Sequence, residues 1–218
     1  MKILCIADHI DPLVYSTNIK ERFKEVQLVL AAGDLPLTYY DFIVSSLNKP
    51  LIFIFGNHHL EHLRAFNGGN QTQQFTWTEK QNQHFGGITY AGWKAINVKG
   101  LLIAGFGGSR RYNNEENQYT DFEMKMKIIR LLPRFLWNRL VHGRYVDIIL
   151  THAPAKGLGD GKDQCHSGFN AFLWLMRRLK PKYLVHGHVH LYDQNRRRTY
   201  DYNETTVVNA YNHVVIDI

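Results

Sequence analysis

The chain is predicted to be an α/β protein on three observations. Short apolar runs alternate with helical stretches in a βαβαβ order from residue 3 to residue 55, which argues for parallel strands buried on both faces. Residues 88–106 then change to closely spaced strands joined by a tight turn, so antiparallel strands should accompany the parallel ones. Polar residues recur where the apolar runs stop, at Asp8, Gly33-Asp34, Gly56-Asn57-His58 and Thr151-His152. In open α/β sheets those carboxyl ends are where ligands bind.

The elements follow in order. Residues 3–7 form an apolar strand, and residues 18–25 are polar with helical spacing. Residues 28–32 are the second strand, and residues 39–47 a helix closed by Asn48 and Lys49-Pro50. Residues 51–55 are the third strand. Residues 59–85 are rich in Gln and Asn, include Gly68-Gly69, and read as a long loop with a short helix near His59. Long irregular segments of this kind are often lids. Residues 88–90, 94–98 and 101–106 read as antiparallel strands, with Lys99-Gly100 as the tight turn. Residues 119–142 are amphipathic and form a helix that Pro133 should kink or split. A strand at 147–150, a glycine-rich loop at 155–168, a helix at 169–179 stopped by Lys180-Pro181, and a strand at 183–186 follow. Residues 206–210 and 214–218 close the chain, with a turn at Tyr211-Asn212. No repeat, linker or low-complexity tract interrupts residues 1–218, which are expected to be one domain.

At 218 residues the chain can bury a sheet-based core without staples. Two cysteines make no disulfide framework, so a reducing, cytoplasmic location is expected. No signal peptide is read at Met1-Lys2, and no apolar run approaches a membrane span, so no membrane partner is expected. The net charge of +7 favours an anionic substrate, although Arg196-Arg197-Arg198 supplies part of it. Nucleic acid is disfavoured as a partner because no basic stripe is interleaved with aromatics.

The chemistry gathers around His188 and His190. They leave a strand end two residues apart, and period-two geometry puts both imidazoles on one side. With Asp8, Asp34, Asn57 and His152 they make six candidate metal ligands. Mixed carboxylate, amide and imidazole donors suit manganese, iron or zinc. A tetrahedral zinc needs only four ligands. Six suggest two metal ions sharing a carboxylate, at a separation of roughly 3.5–4 Å.

These motifs, Gly33-Asp34, Gly56-Asn57-His58, His152 and Gly187-His188-Val189-His190, resemble in type and order those of the calcineurin-like metallophosphoesterases. The resemblance spans nearly the whole chain. It implies a four-layer α/β/β/α sandwich of two mixed sheets flanked by helices. It also implies a phosphodiesterase or phosphomonoesterase with a dinuclear metal centre, a bridging hydroxide as nucleophile, and a phosphorylated small molecule or nucleotide as substrate. Asp34 would then bridge the metals, Asn57, His152 and His188 would complete one, and Asp8 and His190 would hold the other. His58 would be no ligand but the acid that protonates the leaving oxygen.

The first motif departs from the family, which has a histidine two residues after the first aspartate; here the position is Ile10. His9 should point to the opposite side from Asp8 in extended geometry. Asp11, ahead of Pro12, is the candidate substitute ligand. One metal site is therefore expected to be weaker. The departure also keeps open a second function class, a binding scaffold of the same fold without catalysis, which the retained His58 argues against. A nuclease is a third. Arg110, in Gly107-Gly108-Ser109-Arg110, and His166, in the loop before the histidine pair, are candidate substrate-binding residues. Asp163 is a further candidate there, and Tyr39, Trp77, Tyr112 and Tyr119 are candidates for stacking on a base.

Overall fold

Two six-stranded sheets lie face to face. The computed structural model describes residues 1–66, 84–85, 87–192 and 197–218. The first sheet contains β1 (Lys2–Ala7), β2 (Val26–Ala31), β3 (Leu51–Phe53), β4 (His84–Phe85), β5 (Ile88–Tyr90) and β14 (Asn212–Asp217), in the order β14-β1-β2-β3-β5-β4. The second contains β6 (Lys94–Val98), β7 (Leu101–Phe106), β10 (Ile148–Thr151), β11 (Tyr183–His186), β12 (Thr199–Tyr202) and β13 (Thr205–Asn209), in the order β12-β13-β11-β10-β7-β6. In both, the inner strands run parallel and each edge strand runs antiparallel to its neighbour. A small parallel pair, β8 (Ser109–Arg110) and β9 (Gln118–Tyr119), stands apart.

Strand alternation divides the core into three layers. Ile3, Cys5 and Ala7 of β1 face Ile103, Ile148, Leu150 and Val185 of the other sheet. Leu4 and Ile6 face outward, under α1 (Ile19–Arg22), α2 (Leu37–Leu47) and α3 (Leu63–Phe66). Ala104, Ile149 and Leu184 face outward on the second sheet, under α4 (Asp121–Arg130), α5 (Leu132–His142) and α6 (Asn170–Leu179). The result is the four-layer sandwich expected from the motifs. Phe53, Phe55, Phe66 and Tyr90 meet ring to ring at 5.3–5.7 Å. Such pairs are worth ~0.5–1.5 kcal/mol each beyond their burial. Because Phe55 directly precedes Gly56-Asn57-His58, this cluster anchors the base of that loop.

Several elements differ from the sequence reading. The helix expected over residues 18–25 is the single turn α1, since only Ile19 and Phe23 reach the core. The amphipathic stretch does split, as Pro133 was expected to make it, at Leu131, with Thr120 and Glu123 forming a capping box at the start of α4 and Pro133 in the first turn of α5. Proline is tolerated there because its missing N–H has no helical partner to lose. Strand β5, expected to be antiparallel to its successors, pairs parallel with β3 and antiparallel with β4. The two closing strands are no hairpin: β13 lies in one sheet and β14 in the other, and the chain crosses between them at Ala210-Tyr211. Strand β12 has no sequence signal because its residues alternate between exposed and half-buried, with no apolar run to mark it. Gly68-Gly69, Trp77 and Arg196 lie outside the described residues. Among the described residues no helix is long and apolar enough to cross a membrane. Cys5, buried in β1, and Cys165 are unpaired.

Candidate metal centre

Two glycine-containing turns bring the polar residues together. At the end of β3, a methyl group on Gly56 would fall 2.0 Å from Asp34 Oδ1 and 2.6 Å from His152 Cε1. At the end of β11, one on Gly187 would fall 2.7 Å from Asp8 Oδ2. Only glycine lets these backbones pass so close to the carboxylates. Asp8, Asp34 and His188 themselves adopt left-handed backbone angles, with φ of 65°, 56° and 66°. Non-glycine residues in that region carry strain that clusters at functional sites.

Asp34, His152 and His188 offer ligand atoms that all lie within 4.8 Å of one another. His152 Nδ1–H donates to the Ala32 carbonyl at 2.8 Å, so its Nε2 faces the group. That Nε2 is 3.2 Å from Asp34 Oδ2, 3.0 Å from Asn57 Oδ1 and 3.1 Å from His188 Nδ1. His188 Nε2–H donates to the Cys165 carbonyl at 2.8 Å, which turns its Nδ1 lone pair inward. The Asn57 amide donates to Tyr112 Oη at 3.2 Å, which turns its oxygen inward. Four lone-pair atoms thus converge while their hydrogens are spent on outer partners. Such a donor set fits a divalent cation, and outer hydrogen bonds of this kind are what orient metal-binding imidazoles.

The titration behaviour follows from that convergence. Burial opposes a charge on His152, yet Asp34 and then Asp8 outweigh it and lift the imidazole to about 9. Burial likewise opposes ionisation of Asp34, but His152 and the His58 backbone N–H hold its carboxyl well below the usual range. Burial, then the charge of His152, pushes His188 down to about 3. Burial pushes Asp8 up to about 7. One positive charge is therefore wanted at the centre of the group, and its neighbours titrate around it.

The remaining candidates take distinct places. Both Asp8 oxygens accept from the His188 backbone N–H at 2.9 Å, and Asp8 lies 4.0 Å from His152 Nδ1. His58 is exposed, with its backbone N–H donating to Asp34 Oδ1 at 2.8 Å. His190 is half-buried, stacked on Tyr211 at 4.9 Å and 29°, with Nδ1 2.6 Å from Tyr192 Oη. Asp11, read as a substitute ligand, is not brought to the group. Its oxygens accept from the Leu13 N–H at 2.8 Å and from His213 Nδ1 at 2.5 Å, because the loop after β1 folds back on β14. His9 does not follow the extended alternation, since the left-handed turn at Asp8 breaks it. It lies close enough to His190 to help lower that imidazole's pKa, after burial and the charges of His166 and His152. Arg110 Nη1 donates to Ser167 Oγ at 3.2 Å, and Lys156 Nζ to the same oxygen at 3.0 Å. The His166 ring is 5.2 Å from that of His188 and is held by Asp163 Oδ1 at 2.8 Å.

Sequence reasoning missed Asn209. Its amide donates to the Val189 carbonyl, between the two histidines, at 2.7 Å, and its oxygen accepts from the Tyr211 N–H at 2.8 Å. Tyr112, named only as a stacking candidate, orients Asn57. Neither residue sits in a motif, and the partners they orient, Val189 and Asn57, lie 20 and 55 residues away.

The family model described as calcineurin-like phosphoesterase matches residues 1–192. A lariat debranching enzyme of Entamoeba histolytica is 24% identical over 207 residues, covering 78% of this chain and 57% of that enzyme. The chain thus spans a little over half the length of that relative. Among solved structures, TT1561 of Thermus thermophilus matches with a TM-score of 0.64 at 13% identity, covering 96% of this chain and 88% of that one. The phosphopantetheinyl hydrolase PptH of Mycobacterium tuberculosis matches with a TM-score of 0.52 at 13% identity, with the same coverage of 96% and 88%. These two likenesses bear on the fold, and they agree with the paired mixed sheets described above. Matched by its family model over most of its length, the chain belongs to the calcineurin-like phosphoesterase family.

Proposed function

We propose that the chain hydrolyses a phosphodiester at a centre of two divalent metal ions, manganese, iron or zinc, that share Asp34. The observation that carries this is the inward convergence of Asp34, Asn57, His152 and His188 with their hydrogens directed outward. Those four would hold one metal, and Asp8, Asp34 and His190 the other. The second set is smaller, since Ile10 offers no ligand and Asp11 is engaged by His213 and Leu13, so it would bind more weakly. When bound, the metals supply Lewis acidity toward phosphoryl oxygens and lower the pKa of water enough to make a nucleophile at neutral pH.

The chain's own residues do the rest. The outer ring nitrogens of His152 and His188 are fixed by the Ala32 and Cys165 carbonyls, so the inner nitrogens face the metal once His152 gives up its proton. His58, exposed beside Asp34, protonates the leaving oxygen. Arg110, whose guanidinium has the neutral Ser167 hydroxyl as its only hydrogen-bond partner among the described residues, keeps its charge for a phosphate. His166, Lys162, His190 and Tyr192 line a groove of about 420 Å³ that would receive the rest of a small phosphorylated or nucleotide substrate. The debranching relative and the net charge of +7 favour a diester over a monoester. The unpaired Cys5 and Cys165 favour a reducing, cytoplasmic setting, and residues 1–218 are taken as one domain.

The test is a metal assay beside leaving-group kinetics on the parent, His58→Ala and His188→Ala. His58→Ala should keep its metal and lose ~10²–10⁴-fold in rate on a poor leaving group, with a smaller loss on an aryl phosphate. His188→Ala should lose metal and turnover together. Metal loss in His58→Ala, or equal rate losses for all leaving groups, would overturn the assignment.

A further inference from the structure

We propose that the outer face of α5 docks the protein on an anionic membrane surface. Helix α5 packs inward through Phe135 and Asn138, which are buried. Outward it presents Leu136, Trp137, Leu140 and Val141, exposed to 61%, 56%, 80% and 52%. A surface helix ordinarily turns such residues to the core, and a contiguous exposed apolar patch marks an interaction site. Charge surrounds the patch. Residues 124–146 carry Lys125, Lys127, Arg130, Arg134, Arg139 and Arg144 and no Asp or Glu. The Arg130 and Arg134 guanidiniums make no hydrogen bond or ion pair among the described residues. Where α5 ends, a groove of about 560 Å³ sets Arg139, Arg144, Arg178, Lys180 and Lys182 against only two carboxylates, Asp147 and Glu204.

The occupant follows from shape and charge. A second copy seated across a two-fold axis would lay this cationic stretch against itself with no acid to answer it. Nucleic acid would use the arginines but leave Leu136, Trp137 and Leu140 without a partner. The patch is a convex ridge on one helix, which a fluid bilayer accepts without a matching pocket. Apolar side chains sink to the boundary between headgroups and acyl chains, the arginines reach back to the phosphates, and the basic groove takes acidic headgroups. This is peripheral attachment, which needs no spanning helix, and it revises the expectation of no membrane partner drawn from hydropathy. The groove residues precede β10 and β11, so the docking face lies toward the strand starts, whereas the metal-centre residues follow the strand ends.

The experiment is co-sedimentation of the full chain with phosphatidylcholine vesicles, with and without phosphatidylserine. Binding should require phosphatidylserine and weaken with added salt. Arg130→Ala with Arg134→Ala should lower partitioning by roughly 25-fold, about fivefold per cation. Leu136→Ser with Leu140→Ser should lower it by ~10-fold or more, and both pairs should hydrolyse an aryl phosphate like the parent. As a second readout that needs no destabilising change, brominated acyl chains should quench tryptophan fluorescence in the parent and not in Trp137→Phe. No binding by the parent, binding indifferent to these substitutions, or a patch whose only effect is on the sedimentation mass of the protein alone would overturn the proposal.

Discussion

Replacing Asn209 by alanine tests whether the histidine loop is held from outside its own motif. Asn209 is 2% exposed and ties the Val189 carbonyl to the Tyr211 N–H across the end of the second sheet. Alanine leaves both backbone groups in the interior without a partner, at ~1–3 kcal/mol each, so ~2–6 kcal/mol in all. For a chain of 218 residues, each kcal/mol moves the melting temperature by ~2–4 °C, which predicts a fall of ~4–24 °C. The function should suffer before the fold does. Tyr211 is the platform on which His190 stacks, and Val189 separates the two histidines, so metal binding should weaken well below the melting point. Thermal unfolding by circular dichroism, paired with calorimetric metal titration at a temperature where both proteins are folded, reads the two effects separately. A variant that melts within ~2 °C of the parent and binds metal with parental affinity would refute the reasoning.

Gly56→Ala should abolish metal retention through dialysis, because its methyl group would fall 2.0 Å from Asp34 Oδ1; a variant that keeps its full metal content would show the loop can yield. Metal affinity should rise with pH. Burial opposes the proton on His152 but Asp34 outweighs it, holding the group up to about 9, so below that pH a metal must displace a proton. The affinity gain should be ~tenfold per pH unit in that range, as for release of a single proton, and titrations at neutral and mildly acidic pH that agree would place His152 outside the metal shell.

Residues that announce themselves by type are legible in the sequence. Strands β6, β7 and β11 have the limits their sequence gives them, because each is a bounded run with turn residues on either side. Asp34, His152 and His188 stand out as polar residues after apolar runs, and they do converge. Partners set by tertiary distance stay hidden. Nothing local tells that β13 and β14 part company into different sheets, since each takes its neighbour from far along the chain. The carbonyls of Ala32 and Cys165, which fix the two imidazole tautomers, have no side-chain signature at all. Asp11 fails as a substitute ligand for the same reason, because its competitor, His213, lies 202 residues away.

The crossing at Ala210-Tyr211 has a consequence for synthesis. Strand β1 is made before every other described strand, yet one of its two sheet neighbours, β14, follows all of them. Until β14 is made, β1 therefore carries a bare edge, and the long separation makes this pairing a slow step of folding. The loop after β1 waits as well, since Asp11 is pinned by His213 on β14, and His190 waits for Tyr211. The end of the molecule that carries the candidate metal centre is thus completed only once β14 is in place.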